Sequence, residues 1–260
     1  MGEALHLHHI SPFPGMQLSF VGPDLSAGPL PALFYFALSA EESLLTDPYN
    51  QPVAYLASLP VRIFSVDLPG HGSDLPATQA LNLWAEQLAQ GNNIVHDLAL
   101  NLTHAIEELI GRGVAQHDKI AVAGLSRGGF IAAHFAALCP AVQWILGFAP
   151  VTQLTYAKEF QDLKEDPLIV RLNLEYLVDA LADRTLRFYI GNLDTRVGTR
   201  PCFEFIEKLA QAAEDKRIRS PSIELLISPS IGYLGHGTSK EVFHDGTQWL
   251  AEQMEIIDVL

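Results

Sequence analysis

The sequence predicts an α/β fold: a mostly parallel central sheet with helices on both faces and a small helical lid. Three observations point there. Apolar runs of strand length alternate with longer amphipathic segments. Several of those runs are apolar throughout rather than at every second residue, as strands covered on both faces must be. A glycine-flanked serine turn joins one such run directly to a helical stretch. With 260 residues and 48% hydrophobic content, the chain can bury a large core as one domain over residues 1–260.

The strands are expected at 18–21, 32–38, 61–66, 119–123, 144–148, 186–190 and 223–227, where Val, Ile, Leu, Phe and Tyr concentrate. Between them, helices are expected at about 48–57, 92–111, 128–138, 200–215 and 239–255. In the second of these, Ile94, Leu98, Leu102, Ile106 and Leu109 recur at spacings of three and four, which makes one apolar face. Strand and helix in alternation require crossover connections, hence parallel pairing. One segment, 150–184, contains no strand but two amphipathic pieces around 154–163 and 167–181. An insertion there would sit above the carboxyl ends of the strands, where open α/β sheets bind ligands. It reads either as a small lid or as ordinary packing helices.

Charge narrows the partners. Sixteen basic against thirty acidic residues give a net charge of −14, which argues against nucleic acid and against anionic membrane. Cys139 and Cys202 are too few for a disulfide framework and read as buried small hydrophobes, so a reducing compartment is natural. The N-terminal residues lack the basic and apolar regions of a secretory signal, and His6 stands where a myristoylation signal following Gly2 needs Ser or Thr. No apolar stretch reaches the roughly 18 residues that cross a bilayer. His6, His8 and His9 have no Cys or carboxylate at ligand spacing and read as a solvated strand or tail rather than a metal site. A cytoplasmic protein without metal or organic cofactor is expected.

The chemistry concentrates in Gly124-Leu125-Ser126-Arg127-Gly128, preceded by Lys119-Ile120-Ala121-Val122-Ala123 and followed by a helical stretch. This is G-x-S-x-G at a strand-to-helix junction, where the serine takes a strained backbone conformation and glycine on either side avoids collisions. A serine hydroxyl is a poor nucleophile alone and needs a base, which in turn needs an orienting acid. In this architecture the order along the chain is serine, acid, histidine. Asp194 closes the run Phe188-Tyr189-Ile190-Gly191-Asn192-Leu193-Asp194, and His236 lies in Tyr233-Leu234-Gly235-His236-Gly237, before the last helix. The other histidines fit less well. His71 reads as a shaper of the sheet top, His134 as a packing residue within the helix after the serine, and His244 as pointing away. Asp67, Asp179 and Asp183 compete weakly for the acid position.

With these residues in place, the chain resembles the α/β-hydrolase fold family from about residue 18 to 254. Asp67-Leu68-Pro69-Gly70-His71-Gly72 resembles the loop that many members carry after their fourth strand. Asn192-Leu193-Asp194-Thr195-Arg196-Val197 is similar to the acid loop of the prolyl oligopeptidase-like and dienelactone hydrolase-like branches. The resemblance implies Ser126 as nucleophile, Asp194 as acid and His236 as base. It also implies an oxyanion hole from the Arg127 amide and a second amide after strand 32–38. Many relatives have His-Gly there, whereas this chain reads Ala37-Leu38-Ser39-Ala40-Glu41-Glu42-Ser43, and Leu38 is the expected donor. Ser39, Tyr156 and Phe160 are the candidates for substrate contact. The Arg127 side chain is expected to meet a substrate carboxylate or to pair with Glu41 or Glu42, and Arg196 carries the same two readings.

These readings imply a serine hydrolase acting through an acyl-enzyme on a carboxylic ester, thioester or amide. A short peptide is the alternative substrate, and a non-catalytic binding module the alternative class.

Overall fold

A strand whose two faces are both apolar has to be covered twice. In the computed structural model, which describes residues 5–72 and 76–257, Ala32, Phe34 and Phe36 pack into one apolar cluster while Leu33, Tyr35 and Ala37 pack into another. Ile120 and Val122 against Ala121 and Ala123 repeat the division one strand over. The chain runs through β1 (His8–Ile10), β2 (Leu18–Val21), β3 (Leu30–Phe36), α1 (Ala40–Leu45), α2 (Gln51–Leu56), β4 (Arg62–Ser65), α3 (Ala80–Ala89) and α4 (Ile94–Gly111). It continues through β5 (Ala115–Leu125), α5 (Arg127–Leu138), β6 (Val142–Phe148), α6 (Pro167–Leu172), α7 (Val178–Leu181), β7 (Thr185–Gly191), α8 (Thr199–Asp215), β8 (Ile223–Ser228) and α9 (Lys240–Gln253).

The eight strands lie in the order β1-β2-β4-β3-β5-β6-β7-β8. The first two are antiparallel to their neighbours and all the other pairs are parallel. Helices α3, α4, α5 and α8 cover one face, and α1, α2 and α9 the other. The expected mostly parallel sheet between helical layers is therefore present. His8 and His9 lie in β1, where the His8 ring stacks on Phe20 and the His9 Nδ1 meets Ser19 Oγ at 3.2 Å. Cys139 and Cys202 are buried and unpaired. The readings made on Met1 and Gly2 fall outside the described residues.

Three elements differ from expectation. Helix α1 starts where a loop was expected, because Ser39 and Glu42 form a reciprocal capping box at its first turn. Helix α3 buries Leu81, Trp84, Ala85 and Leu88 on one stripe, and the Trp84 indole donates to Pro69 O at 2.7 Å. The segment 150–184 is neither one long helix nor two. It passes through 3-10 turns at Leu154–Tyr156 and Lys158–Leu163, then α6, another 3-10 turn at Leu174–Leu177, and α7. It packs across α3 and α5, at the end of the sheet where the loops after β5, β7 and β8 emerge.

At the opposite end of the sheet, one buried cation ties strands to loops. Arg62 is fully buried, and its guanidinium donates to the carbonyls of Pro23, Asp24, Gly28 and Val114 at 2.5–2.9 Å. A single side chain thus gathers carbonyls from segments far apart in sequence. Arg62→Met keeps the bulk but leaves them without a donor, at about 1–3 kcal/mol for each group that water does not reach. We expect a loss of at least about 3 kcal/mol, read as a lower urea midpoint at unchanged slope.

Candidate active site

The site begins with a turn too tight for side chains. β5 ends at Leu125 and α5 begins at Arg127, so Ser126 alone makes the reversal, with φ 55° and ψ −117°. A non-glycine residue in that region carries strain of about 1–3 kcal/mol, and the surroundings hold it there. The Ser126 N–H donates to Phe148 O at 2.8 Å, while its carbonyl accepts from the amides of Gly129 and Val151, both at 3.1 Å. A Cβ on Gly128 would lie 1.9 Å from Phe36 O, and one on Gly124 would lie 2.1 Å from the Gly128 carbonyl carbon. The two glycines therefore let α5 press against β3 and β5, which leaves the serine side chain at the sheet's end.

The acid and the histidine arrive on two loops that are sewn to each other. After β7, the Thr199 hydroxyl accepts from the Asp194 N–H at 2.9 Å and donates to Gly191 O, closing a compact loop. After β8, the Ser230 hydroxyl accepts from Leu193 N at 2.6 Å, and Leu234 O accepts from Thr195 N at 2.9 Å. Gly235, at φ +74°, passes so close to Leu193 O that a Cβ would lie 2.2 Å from it. That approach brings His236 over Asp194.

The result is a hydrogen-bonded row. His236 Nδ1 lies 2.7 Å from Asp194 Oδ2, and His236 Nε2 lies 2.8 Å from Ser126 Oγ. The Asp194 side chain is fully buried, and its other oxygen accepts from the amides of Arg196 and Val197 at 2.9 and 3.0 Å. A carboxylate fixed by two amides cannot turn away, so Nδ1 carries the proton and Nε2 presents its lone pair to the serine hydroxyl. The three residues singled out from sequence thus meet in one place.

The surrounding positions divide. Among the described residues no protein acceptor takes the Arg127 N–H, which sits at the first turn of α5 beside Ser126. The Leu38 N–H is engaged instead. The buried Ser43 hydroxyl accepts from both Ala37 N and Leu38 N, at 3.0 and 3.1 Å, and donates to Ser39 O. Ser39 caps α1 with its hydroxyl on Glu42 and lines a cavity of about 360 Å³ with Asp67 and His71. Tyr156 is 40% exposed and lines a larger cavity, of about 660 Å³, beside the Asp194 and His236 loops. Phe160 makes no such contact: it is fully buried in the core, because the 3-10 turn of 158–163 directs it inward.

The arginine side chains also need correction. Arg127 reaches neither Glu41 nor Glu42; its guanidinium donates to His71 Nε2 and Ala77 O, both at 3.1 Å. Burial beside that cation pushes the His71 imidazole down to about 4, so the ring is neutral and accepts. Arg196 forms a two-pronged pair with the buried Glu159 at 2.8 and 3.1 Å. His134 is buried and neutral, pushed down to about 4, and its Nε2–H donates to Leu172 O. Asp67 accepts from Ala40 N at 2.7 Å, bracing α1.

Sequence reasoning missed Ser43, Glu159 and Thr199. Only the first had a readable signal, since Ser39-x-x-Glu42 marks a helix start and places Ser43 in its first turn. Among the described residues no cluster of three metal-ligating side chains occurs, and no helix is long and apolar enough to cross a membrane.

Comparison with known proteins gives a family and a set of folds. A model of the alpha/beta hydrolase family matches residues 28–253. No curated protein matches the chain. Among solved structures, a Thermus thermophilus protein superposes with TM-score 0.70 at 16% identity, over 96% of this chain and 98% of its own. The acylaminoacyl peptidase of Pyrococcus horikoshii gives 0.64 at 14%, over 97% of this chain and 41% of its own. An S-formylglutathione hydrolase from Agrobacterium tumefaciens gives 0.59 at 18%, over 96% and 94%. At such identities the likeness is one of fold, and this chain spans less than half the length of that peptidase.

Proposed function

The chain belongs to the alpha/beta hydrolase family, and from that premise we propose that it is a serine hydrolase acting through an acyl-enzyme on Ser126. The observation that carries the reading is the row from Asp194 through His236 to Ser126, with both contacts at 2.7–2.8 Å. In this reading His236 Nε2 takes the Ser126 proton as the hydroxyl oxygen attacks a carboxylic ester, thioester or amide carbonyl. Asp194, held by the Arg196 and Val197 amides, stabilises the imidazolium that forms and fixes its tautomer. His236 then protonates the leaving group, and water, activated by the same imidazole, releases the acyl chain.

The oxyanion would meet the Arg127 N–H at the positive end of α5. Its second donor, Leu38 N–H, has to be shared with or released by Ser43. One such donor is worth about 3 kcal/mol to the transition state, so this competition bears on rate rather than on reaction class. It is also the one feature that favours the second reading, a binding module of the same fold with little turnover. Fluorophosphonate labelling separates the two: the wild type should be labelled, and Ser126→Ala should not. A folded wild type that resists the probe would favour the binding module.

Small carboxylic esters are the proposed substrates, with short peptides as the alternative. The peptide alternative draws its support from the acid-loop sequence and from the peptidase fold likeness. p-Nitrophenyl esters of graded acyl length, assayed beside aminoacyl nitroanilides, distinguish them. A cytoplasmic location remains part of the same proposal.

A further inference from the structure

The cavity of about 660 Å³ is walled in part by residues of the two loops that carry Asp194 and His236. Thr195 and Arg196 in its wall directly follow Asp194, and Leu234 precedes His236 by two residues. Gln153 in the same wall is two residues beyond Val151, whose amide donates to Ser126 O. A chamber of this size is within the range of small-molecule sites, about 300–1,000 Å³.

Its charge runs against that of the molecule. The chain carries a net −14, yet the wall holds Lys158, Lys164 and Arg196 and no carboxylate. Asp162 and Glu165 lie on the same stretch but are not in the wall. Among the described residues, neither lysine has an acidic partner within 4 Å. Arg196 is the exception, paired with Glu159, which is buried. Next to Ser126 sits a fourth cation, Arg127, whose side-chain partners are a neutral imidazole and a carbonyl. Burial first, and then the nearby Arg196, lower Arg127 to about 10 against the opposing pull of Glu159. Of these four cations only Arg196 has an ion-pair partner, so the group gains from a further anion.

Resting on the hydrolase reading above, we propose that this cavity is an anion subsite, and that the substrate carries a carboxylate on its acyl chain or its leaving group. Lys158 and Lys164 would reach it from the rim, while Arg127 and Arg196 supply the field behind them. A carboxylate gains charge-assisted hydrogen bonds there that a neutral chain of equal length does not.

Two substrate pairs test the proposal and locate the charge. p-Nitrophenyl hemiglutarate against p-nitrophenyl valerate puts it on the acyl side, and 4-acetoxybenzoate against phenyl acetate puts it on the leaving group. In one pair the anionic member should have a kcat/KM about tenfold higher at low salt, and that ratio should collapse in Lys158→Gln/Lys164→Gln and in roughly 0.5 M salt. A ratio of one or less in both pairs, or a ratio that the double variant leaves unmoved, would overturn the subsite. Calorimetry of monomethyl glutarate with Ser126→Ala reads the subsite without turnover. Binding that disappears on adding the two lysine substitutions supports it, and no binding overturns it. Fluorophosphonate labelling reports on the hydrolase reading separately, so a labelled protein with flat ratios would sink the subsite alone.

Discussion

His236→Ala is expected to lower kcat toward a p-nitrophenyl ester by about a million-fold while leaving the fold intact. The imidazole is partly exposed and held by loop contacts, so its removal leaves no large apolar void. What it removes is the acceptor 2.8 Å from Ser126 Oγ. His71 and His134 are not placed to substitute: His71 Nε2 faces the Arg127 guanidinium, and His134 Nε2 faces Leu172 O. In residues that act as a unit, losing the base costs about as much as losing all three, of order 10⁶. Initial rates, with the thermal midpoint recorded beside them, check this. A variant that retained more than about a hundredth of the wild-type rate would mean that the proton leaves by another route.

Asp194→Asn is expected to cost about 10⁴ in kcat with little change in KM, and for a different reason. The wild-type Oδ1 accepts from the amides of Arg196 and Val197, so the carbonyl oxygen of the substituted side chain has to stay there. Its NH₂ group then faces His236 Nδ1, which must become the acceptor. The ring proton moves to Nε2 and points at Ser126 Oγ, where a lone pair is needed. Crystallography of the variant should show the imidazole unmoved while the rate collapses. A rate within about tenfold of wild type would show that Asp194 does not set the tautomer.

The parts of this fold that are legible in sequence are those set by local rules. Continuous apolar runs mark strands covered twice, as Phe34, Tyr35 and Phe36 demonstrate by packing on both sides of β3. The elbow is equally local, since the clash distances at Gly124 and Gly128 allow no side chain there. Asp194 and His236 are legible because chain order and loop position constrain them together. Phe160 is not, because its stretch winds as a 3-10 turn of about three residues rather than 3.6, which changes the face a given spacing selects. The partner of Arg127 escapes a local reading because His71 is 56 residues distant along the chain. Helix α1 and Ser43 are readable in principle from the capping pair at Ser39 and Glu42.

The loop bearing His236 hangs from β8, an edge strand paired on one side only. Ser126, by contrast, follows β5 at the centre of the sheet. Fraying at this margin would carry His236 away while the middle of the molecule stays folded. Heat or denaturant would meet two thresholds, the first silencing the chemistry and the second melting the protein.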